Sequence, residues 1–414
     1  MADAPFVYLD WAATAPLSLE AARVMAPYLE AGTVGLAQGN GNANALHTAG
    51  RDAFKTLEAA RRDIARTLDA RPSEIIFTSG ATEADNAALI GIVEGVLAKR
   101  GVNIGYGSQA NGKALEAAPS VIVSAIEHDA VLEAAEVLRR RGIEVLFVKP
   151  DKRGIITPEA LAHVLDAATD PLLVSIMALN NETGALADIT QLAELAHRSG
   201  ALFHSDATQA FGKIPLSVKQ TGVDALSLSS HKIGGPKGVG ALFLKTRTPF
   251  GAQIVGGGQE ANLRSGTQNI AGVVGFGKRG VGASAAEARG SHEQLEAASA
   301  HMRALRDRLF AGLSELSGVE AFIDPRSPDY GPHIVTVLCP GFESETLILQ
   351  LDRRGVCVSG GSACSSSDLE PSHVLSAMGI DRDRALGMVR FSLGPTTTEE
   401  DIDHAVRMLR EVVK

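Results

Sequence analysis

The stretch ALSLSSHKIGGPKGVGALFL, Ala225–Leu244, sets two short apolar runs around a loop of hydroxyls, one imidazole, two lysines and several glycines. Ala225–Ser229 and Ala241–Leu244 have the length and composition of buried strands, bounded by polar or Gly/Pro residues. Outward from there the same signature recurs at Glu74–Ser79, Ser120–Ala125, Glu144–Val148, Leu172–Ala178 and Leu202–Ser205. Helical stretches separate most of these runs. Thr157 caps one helix with Pro158 at its first position, and Asp188 caps another that ends before Gly200. Strands alternating with helices in this way predict an α/β fold, a mainly parallel sheet covered on both faces.

The pattern changes after residue 280. Ser284–Leu316 reads as a long Ala/Glu/Arg-rich helical run, broken near Gly290 and bridging two lobes. His333–Leu338 and Val356–Ser359 read as strands, and Glu399–Val413 as an amphipathic helix. A smaller α+β domain is expected there. Arg100–Pro119 is glycine-rich, lacks periodicity and reads as a surface insertion. A chain of 414 residues predicts two or three domains, and 45% hydrophobic with 21% charged residues excludes disordered and fibrous classes. The net charge of −9 argues against a nucleic-acid partner. Three cysteines, Cys339, Cys357 and Cys364, cannot build a disulfide framework, which points to a reducing compartment. MADAPFVYLD shows neither a basic region nor an apolar core of a secretory signal, and no uncharged run is long enough to span a membrane. A cytoplasmic protein without a membrane partner is expected.

Four segments carry chemistry. Thr78-Ser79-Gly80-Ala81-Thr82-Glu83 joins a strand to a helix; its small residues and the helix N-terminus suit an anion, though a capped helix without ligand has the same look. His204-Ser205-Asp206-Ala207-Thr208-Gln209 ends a strand, where open α/β sheets place ligands. Asp206 could hold a heterocyclic nitrogen protonated and Gln209 donate to a ring oxygen, or Asp206 could simply cap a helix. Lys232, among cationic neighbours, has the setting of a Schiff-base amine, with Ser229 and His231 suited to a phosphate; a plain basic loop is the alternative. His128 ends another strand and could stack on a ring or be a core histidine. A phosphate cradle, a carboxylate for a ring nitrogen and a Schiff-base lysine are together what pyridoxal 5′-phosphate requires.

From Tyr8-Leu9-Asp10 to Arg390-Phe391-Ser392-Leu393-Gly394 the chain resembles the NifS/IscS-type cysteine desulfurases of the class V aminotransferase family, pyridoxal-phosphate (PLP) fold type I. The resemblance is carried by Ser79–Glu83, Glu127-His128, Asn180–Gly184, Asp206–Gln209, Ser230–Gly238, Arg264–Thr267 and Ser362–Ser365. It implies a large PLP-binding domain over residues 17–283, with residues 1–16 and 284–414 forming the small domain. It assigns Lys232 as the Schiff-base lysine, Asp206 to the pyridine nitrogen, Gln209 and Asn181 to the phenolic oxygen region, and His128 to the ring face. Ala81, Thr82, Ser229 and His231 would bind the phosphate, and Thr267 would reach the phosphate of a neighbouring subunit, which implies a homodimer. Arg390 would grip the substrate carboxylate, and Asn181 would bind substrate as well.

Cys364 decides which member of the family is implied. It sits in Ser359-Gly360-Gly361-Ser362-Ala363-Cys364-Ser365-Ser366-Ser367, a small-residue segment that suits a thiol moving between site and acceptor. Alone it could be a free thiol in a loop. The resemblance implies that L-cysteine gives up its sulfur to Cys364 as a persulfide and leaves as L-alanine. Lys232 would shuttle a proton and His128 would assist product release. An unidentified sulfur-acceptor protein, serving iron–sulfur cluster assembly or tRNA thiolation, would take the sulfur onward. Another class V reaction (selenocysteine lyase or aminotransferase) or a non-catalytic sulfur carrier are the alternatives. Cys339 and Cys357 read as inert core residues, no metal site is assigned, and Gly360, where the family often has serine, should loosen its loop. The chain ends soon after its last predicted helix, where housekeeping members carry a longer tail that contacts the iron–sulfur scaffold protein.

Overall fold

In a computed structural model that describes residues 6–104, 118–281, 288–361 and 370–414, the strands are, in chain order, β1 (Val7–Tyr8), β2 (Ile75–Thr78), β3 (Ser120–Ser124), β4 (Glu144–Val148), β5 (Pro171–Ser175), β6 (Leu202–Asp206), β7 (Ala225–Ser229), β8 (Gly240–Leu244), β9 (Ile334–Leu338), β10 (Val356–Cys357) and β11 (Met388–Ser392). Seven of them form one sheet in the order β2-β8-β7-β6-β5-β3-β4. All its neighbours are parallel except those of β8, which runs against both β7 and β2. The sheet is therefore mainly parallel, as expected, with a single reversed strand.

Alternation along the strands explains the two layers that cover it. Ile75, Phe77, Ile122, Leu226, Leu228 and Phe243 join Leu57, Ile64, Leu192 and Phe276 on one face. Ile76, Val121, Val123, Ala225 and Leu242 join Ala88, Leu89, Val93, Val131 and Leu138 on the other. The helix Ala81–Lys99 is packed on more than one side, which is why its sequence is apolar nearly all round.

A third core gathers Val7, Leu9, Leu305, Leu309, Val335, Val337, Val356, Val389, Phe391, Ile402 and Leu409. Here β9 and β11 pair antiparallel and β1 lies parallel to β10. Period-2 alternation on β11 sends Val389 and Phe391 into this core and leaves Met388 and Arg390 on the opposite face, toward the large sheet. The Thr157 and Asp188 caps are present, accepting from Ala160 N at 3.2 Å and Gln191 N at 3.1 Å.

Three sequence expectations need correction. Gly290 falls inside the helix Ala288–Ser314 rather than at a break. Cys357 is half-buried beside Asp352, with burial and the nearby carboxylates raising its thiol; of the described cysteines only Cys339 is a core residue, pushed by burial up to about 12. Gly360 does not loosen the chain: a Cβ there would collide with the Ser344 hydroxyl, which donates to Met388 O at 2.8 Å, so it is a point of tight packing. Residues 105–117 of the expected insertion, and Cys364, lie outside the described residues. No helix among the described residues is long and apolar enough to cross a membrane.

Where β8 meets the turn after β2, a Cβ on Gly240 would lie 2.6 Å from Leu228 O and 2.7 Å from Gly80 Cα, both backbone atoms that cannot step aside. Gly240→Ala is expected to cost about 1–3 kcal/mol, measured as a lower denaturant midpoint with an unchanged slope.

Candidate active site

Because β8 alone is reversed, β2, β3, β5, β6 and β7 all end at the same edge of the sheet. The chemistry sits just past the end of each strand: Ser79–Thr82 after β2, His128 after β3, Asn181 after β5, Asp206–Gln209 at the end of β6, and Ser229–Lys232 at the end of β7. These segments line one cavity of about 560 Å³. Ligand sites at the carboxyl ends of strands are the rule for open α/β sheets. Ala81, Thr82, His128, Asn181, Asp206, Gln209, Ser229, His231, Lys232 and Arg390 all line it. Thr267 does not; it is exposed, away from this cavity. Cys364 lies outside the described residues.

Lys232 Nζ donates to the carbonyls of Ala12 and Ala13 at 2.7 and 2.8 Å. Its loop is made by Gly234, which adopts φ +81°, and by Gly235, whose missing Cβ makes room for the Ser230 hydroxyl. His231 Nδ1 lies 3.0 Å from Thr14 Oγ1. Burial, helped by the charges of Lys232, Lys213 and Lys237, pushes His231 down to about 4, so it stands neutral with one N–H to give.

Gln209 is oriented from behind. Its Oε1 accepts from Lys213 Nζ at 2.8 Å and lies 3.2 Å from His333 Nε2, while its Nε2 donates to Ala12 O at 2.8 Å. With the carbonyl oxygen occupied by two interior donors, the amide can only donate toward the cavity. Burial, with the charges of Lys232 and Arg390, holds Lys213 well below the ordinary lysine value. Asp206, 5% exposed, accepts from Thr208 N at 2.8 Å. His128 caps the helix Asp129–Arg140: its Nδ1 accepts from Ala130 N at 3.1 Å, leaving Nε2 to carry the ring proton.

At the anion end, the helix Ala81–Lys99 starts from Gly80, and its first N–H groups have no intrahelical carbonyl. Ser79 N is taken by Glu83 Oε2 at 2.8 Å, and Glu83 is held by Arg264 at 2.9 and 3.2 Å. Arg390 is 2% exposed; Nη1 donates to Asn181 O at 2.8 Å, Nη2 to Asp10 Oδ1 at 3.0 Å, and Nε has no partner. The cavity thus has a cationic side and an acidic side. A buried carboxylate, an amine, unpaired helix N–H groups and an unsatisfied guanidinium N–H are a donor set that fits PLP and an amino-acid substrate.

Sequence reasoning misses Asp10, Asp85, Lys213, His333 and the Ala12–Thr14 segment. Asp10 stands in the Tyr8-Leu9-Asp10 run where the resemblance begins and so has a visible signal, whereas Asp85, between Glu83 and Asn86, has none that singles it out.

The sequence profile of the Aminotransferase class-V family matches residues 7–405. The chain belongs to that family. It is 38% identical over 408 residues to the cysteine desulfurase IscS of Dictyoglomus turgidum, covering 99% of this chain and 94% of that one. The IscS of Edwardsiella ictaluri is also 38% identical, over 98% of this chain and 92% of its own. Among solved structures, a NifS-like protein superposes with a TM-score of 0.83 at 34% identity, over 98% of this chain and 99% of its own. A structure described as SspA in complex with cysteine gives 0.73 at 28% identity, over 95% and 100% of the two chains. The fold is that of this family, PLP fold type I.

Behind the site, burial pushes the Glu127 carboxyl up to about 8, against the donors Ser124 Oγ and Met177 N, the latter at 2.8 Å. The folded chain therefore holds a proton there that the unfolded chain releases near its ordinary value of 4.5. Stability is lost as pH rises from that value to about 8, at up to roughly 1.4 kcal/mol per pH unit. Glu127→Gln should narrow the difference between melting temperatures at about pH 5 and about pH 8. An unchanged difference would contradict the assignment.

Proposed function

We propose that this chain is a PLP-dependent cysteine desulfurase, which takes sulfur from L-cysteine, releases L-alanine and carries the sulfur as a persulfide on Cys364 to an acceptor protein. The observation that carries the reading is the convergence of Lys232, Asp206, the Gly80–Thr82 helix start and Arg390 on one cavity, in a chain 38% identical to cysteine desulfurases along nearly its whole length. The cysteine-bound neighbour supports an amino-acid substrate with a thiol.

Lys232, whose amine donates to the Ala12 and Ala13 carbonyls, would hold the cofactor aldehyde. Asp206 would keep the ring nitrogen protonated, and Gln209, able only to donate, would meet the phenolic oxygen together with Asn181. Ala81, Thr82, Ser229 and neutral His231 would take the phosphate, and His128 would face the ring. When bound, the cofactor supplies an electron sink for charge left at the substrate α-carbon. Arg390 binds the substrate carboxylate, with Asp10 and Asn181 O fixing its plane. Lys232 is the base placed to move the α-proton, and Nε2 of His128 is placed to return one.

The described residues before and after positions 362–369 are tied to neighbouring elements. On one side Ser359 and Arg390 exchange backbone hydrogen bonds of 3.2 and 2.7 Å. On the other, Ser372 Oγ donates to Glu182, and His373 Nε2 lies 2.9 Å from Glu127 O. Thr267, exposed and outside its own cavity, suits a contact with the phosphate of a second subunit in a homodimer. A body of residues 17–283 and one of residues 1–16 with 284–414 is our proposed division, supported by the separate third core. The acceptor belongs to iron–sulfur cluster assembly or tRNA thiolation in the cytoplasm.

Incubation with L-cysteine should add sulfur to the Cys364 peptide, read by mass spectrometry, with alanine released. Cys364→Ser should lose the added sulfur while keeping the yellow cofactor, and Lys232→Ala should lose the borohydride-reducible cofactor link. Full sulfide output from Cys364→Ser would refute the persulfide route.

A further inference from the structure

The buried stretch of the helix Ala81–Lys99 carries Ala84, Ala88, Leu89, Ile92 and Val93, and one acid, Asp85. Asp85 is 1% exposed and lines the cavity, yet neither of its carboxyl oxygens has a hydrogen-bond partner. His204 Nε2 stands 3.7 Å from Oδ1, but it is no counter-ion. Burial pushes His204 down to about 3, and its nitrogens lie 2.8 Å from Ser175 Oγ and 2.9 Å from Ser227 Oγ. The other ionisable groups that act on Asp85 are the carboxyls of Asp206 and Glu127, and Glu127 does not line the cavity.

A leucine at this place would fill the space with no polar group to desolvate. A buried carboxyl with no closer donor than the Ser227 hydroxyl favours its acid form, and two buried carboxyls that feel each other resist ionising together. Burial first, and the charge of Asp206 second, hold Asp85 well above the carboxylate range, with the nearby Ser227 hydroxyl working the other way. An acid-form carboxyl has a proton to donate, and the carboxyl it feels most strongly, that of Asp206, lines the same cavity.

We propose that Asp85 is a positioning residue for the ring-nitrogen end of the cofactor, a carboxylic acid that shares its proton with the Asp206 carboxylate, so that the two carboxyls present a single negative charge to the ring. This rests on the reading of the cavity as a PLP site. It makes the acid at the ring nitrogen a coupled pair contributed by the helix after β2 and by β6. The proton stays on the pair throughout.

The test compares the wild-type protein with Asp85→Asn and Asp85→Leu, each loaded with PLP. In the wild type at neutral pH, infrared spectra should show a carboxylic-acid C=O stretch that disappears in Asp85→Asn. Asp85→Asn, which keeps shape and a donor, should retain cofactor affinity within about threefold, whereas Asp85→Leu should weaken it roughly tenfold. Asp85→Leu should also shift the pH at which the visible band of the bound cofactor changes. The proposal is overturned if no acid band is lost, or if Asp85→Leu keeps both affinity and pH profile. Should Asp85→Leu fail to fold, the infrared difference with Asp85→Asn still decides. Failure of the wild type to bind PLP would overturn the functional reading and this inference together; unchanged binding and spectra across all three proteins would overturn this inference alone.

Discussion

The amine of Lys232 rests on two peptide carbonyls, those of Ala12 and Ala13, and much of the site is organised around that support. The Ala12 carbonyl also receives the amide of Gln209. The segment that provides it is pinned on every side: Tyr8 OH donates to Thr14 O at 2.8 Å, Ala12 N to Ser392 Oγ at 2.8 Å, and Ala15 N to His231 O at 2.9 Å. Trp11 packs its ring over Gly394, where no Cβ could fit.

Charge is divided along the cavity. Lys232, Lys237, Arg390 and His231 line it; burial and neighbouring lysines push His231 down to about 4, and burial with the charges of Lys232 and Arg390 holds Lys213 well below the ordinary lysine value. Asp206 is accompanied by Asp85 and Glu127, whose carboxyls burial holds above the ordinary carboxylate range. Desolvation lets the protein place many ionisable groups in a small volume while keeping few of them charged.

Much of this is legible in the sequence, because strands buried on both faces announce themselves as short apolar runs and the chemistry comes directly after each run. Ala225–Ser229 and Lys232 are the clearest case. The reversal of β8 is not legible, since a strand's direction leaves no trace in its composition. β11 is easily passed over because Arg390 interrupts Met388–Ser392, although the alternation of Val389 and Phe391 with Met388 and Arg390 fits a strand with one face on a core and the other on a cavity. The orientation of Gln209 depends on His333, which is 124 positions away, a distance no local pattern spans. Gly360 misleads for a related reason: a glycine's cause can be a neighbour's hydroxyl as readily as a need for motion.

The pairing of β1 with β10, and of Asp10 with Ser392, has a consequence for how the chain is made. Residues 7–14 leave the ribosome long before residues 356–392 exist to receive them. Until then the lysine's resting place cannot form, however early the large sheet assembles. Closing this long-range contact is an entropically late event, so a nascent chain could build most of its scaffold and still be unable to seat a vitamin until synthesis is almost over.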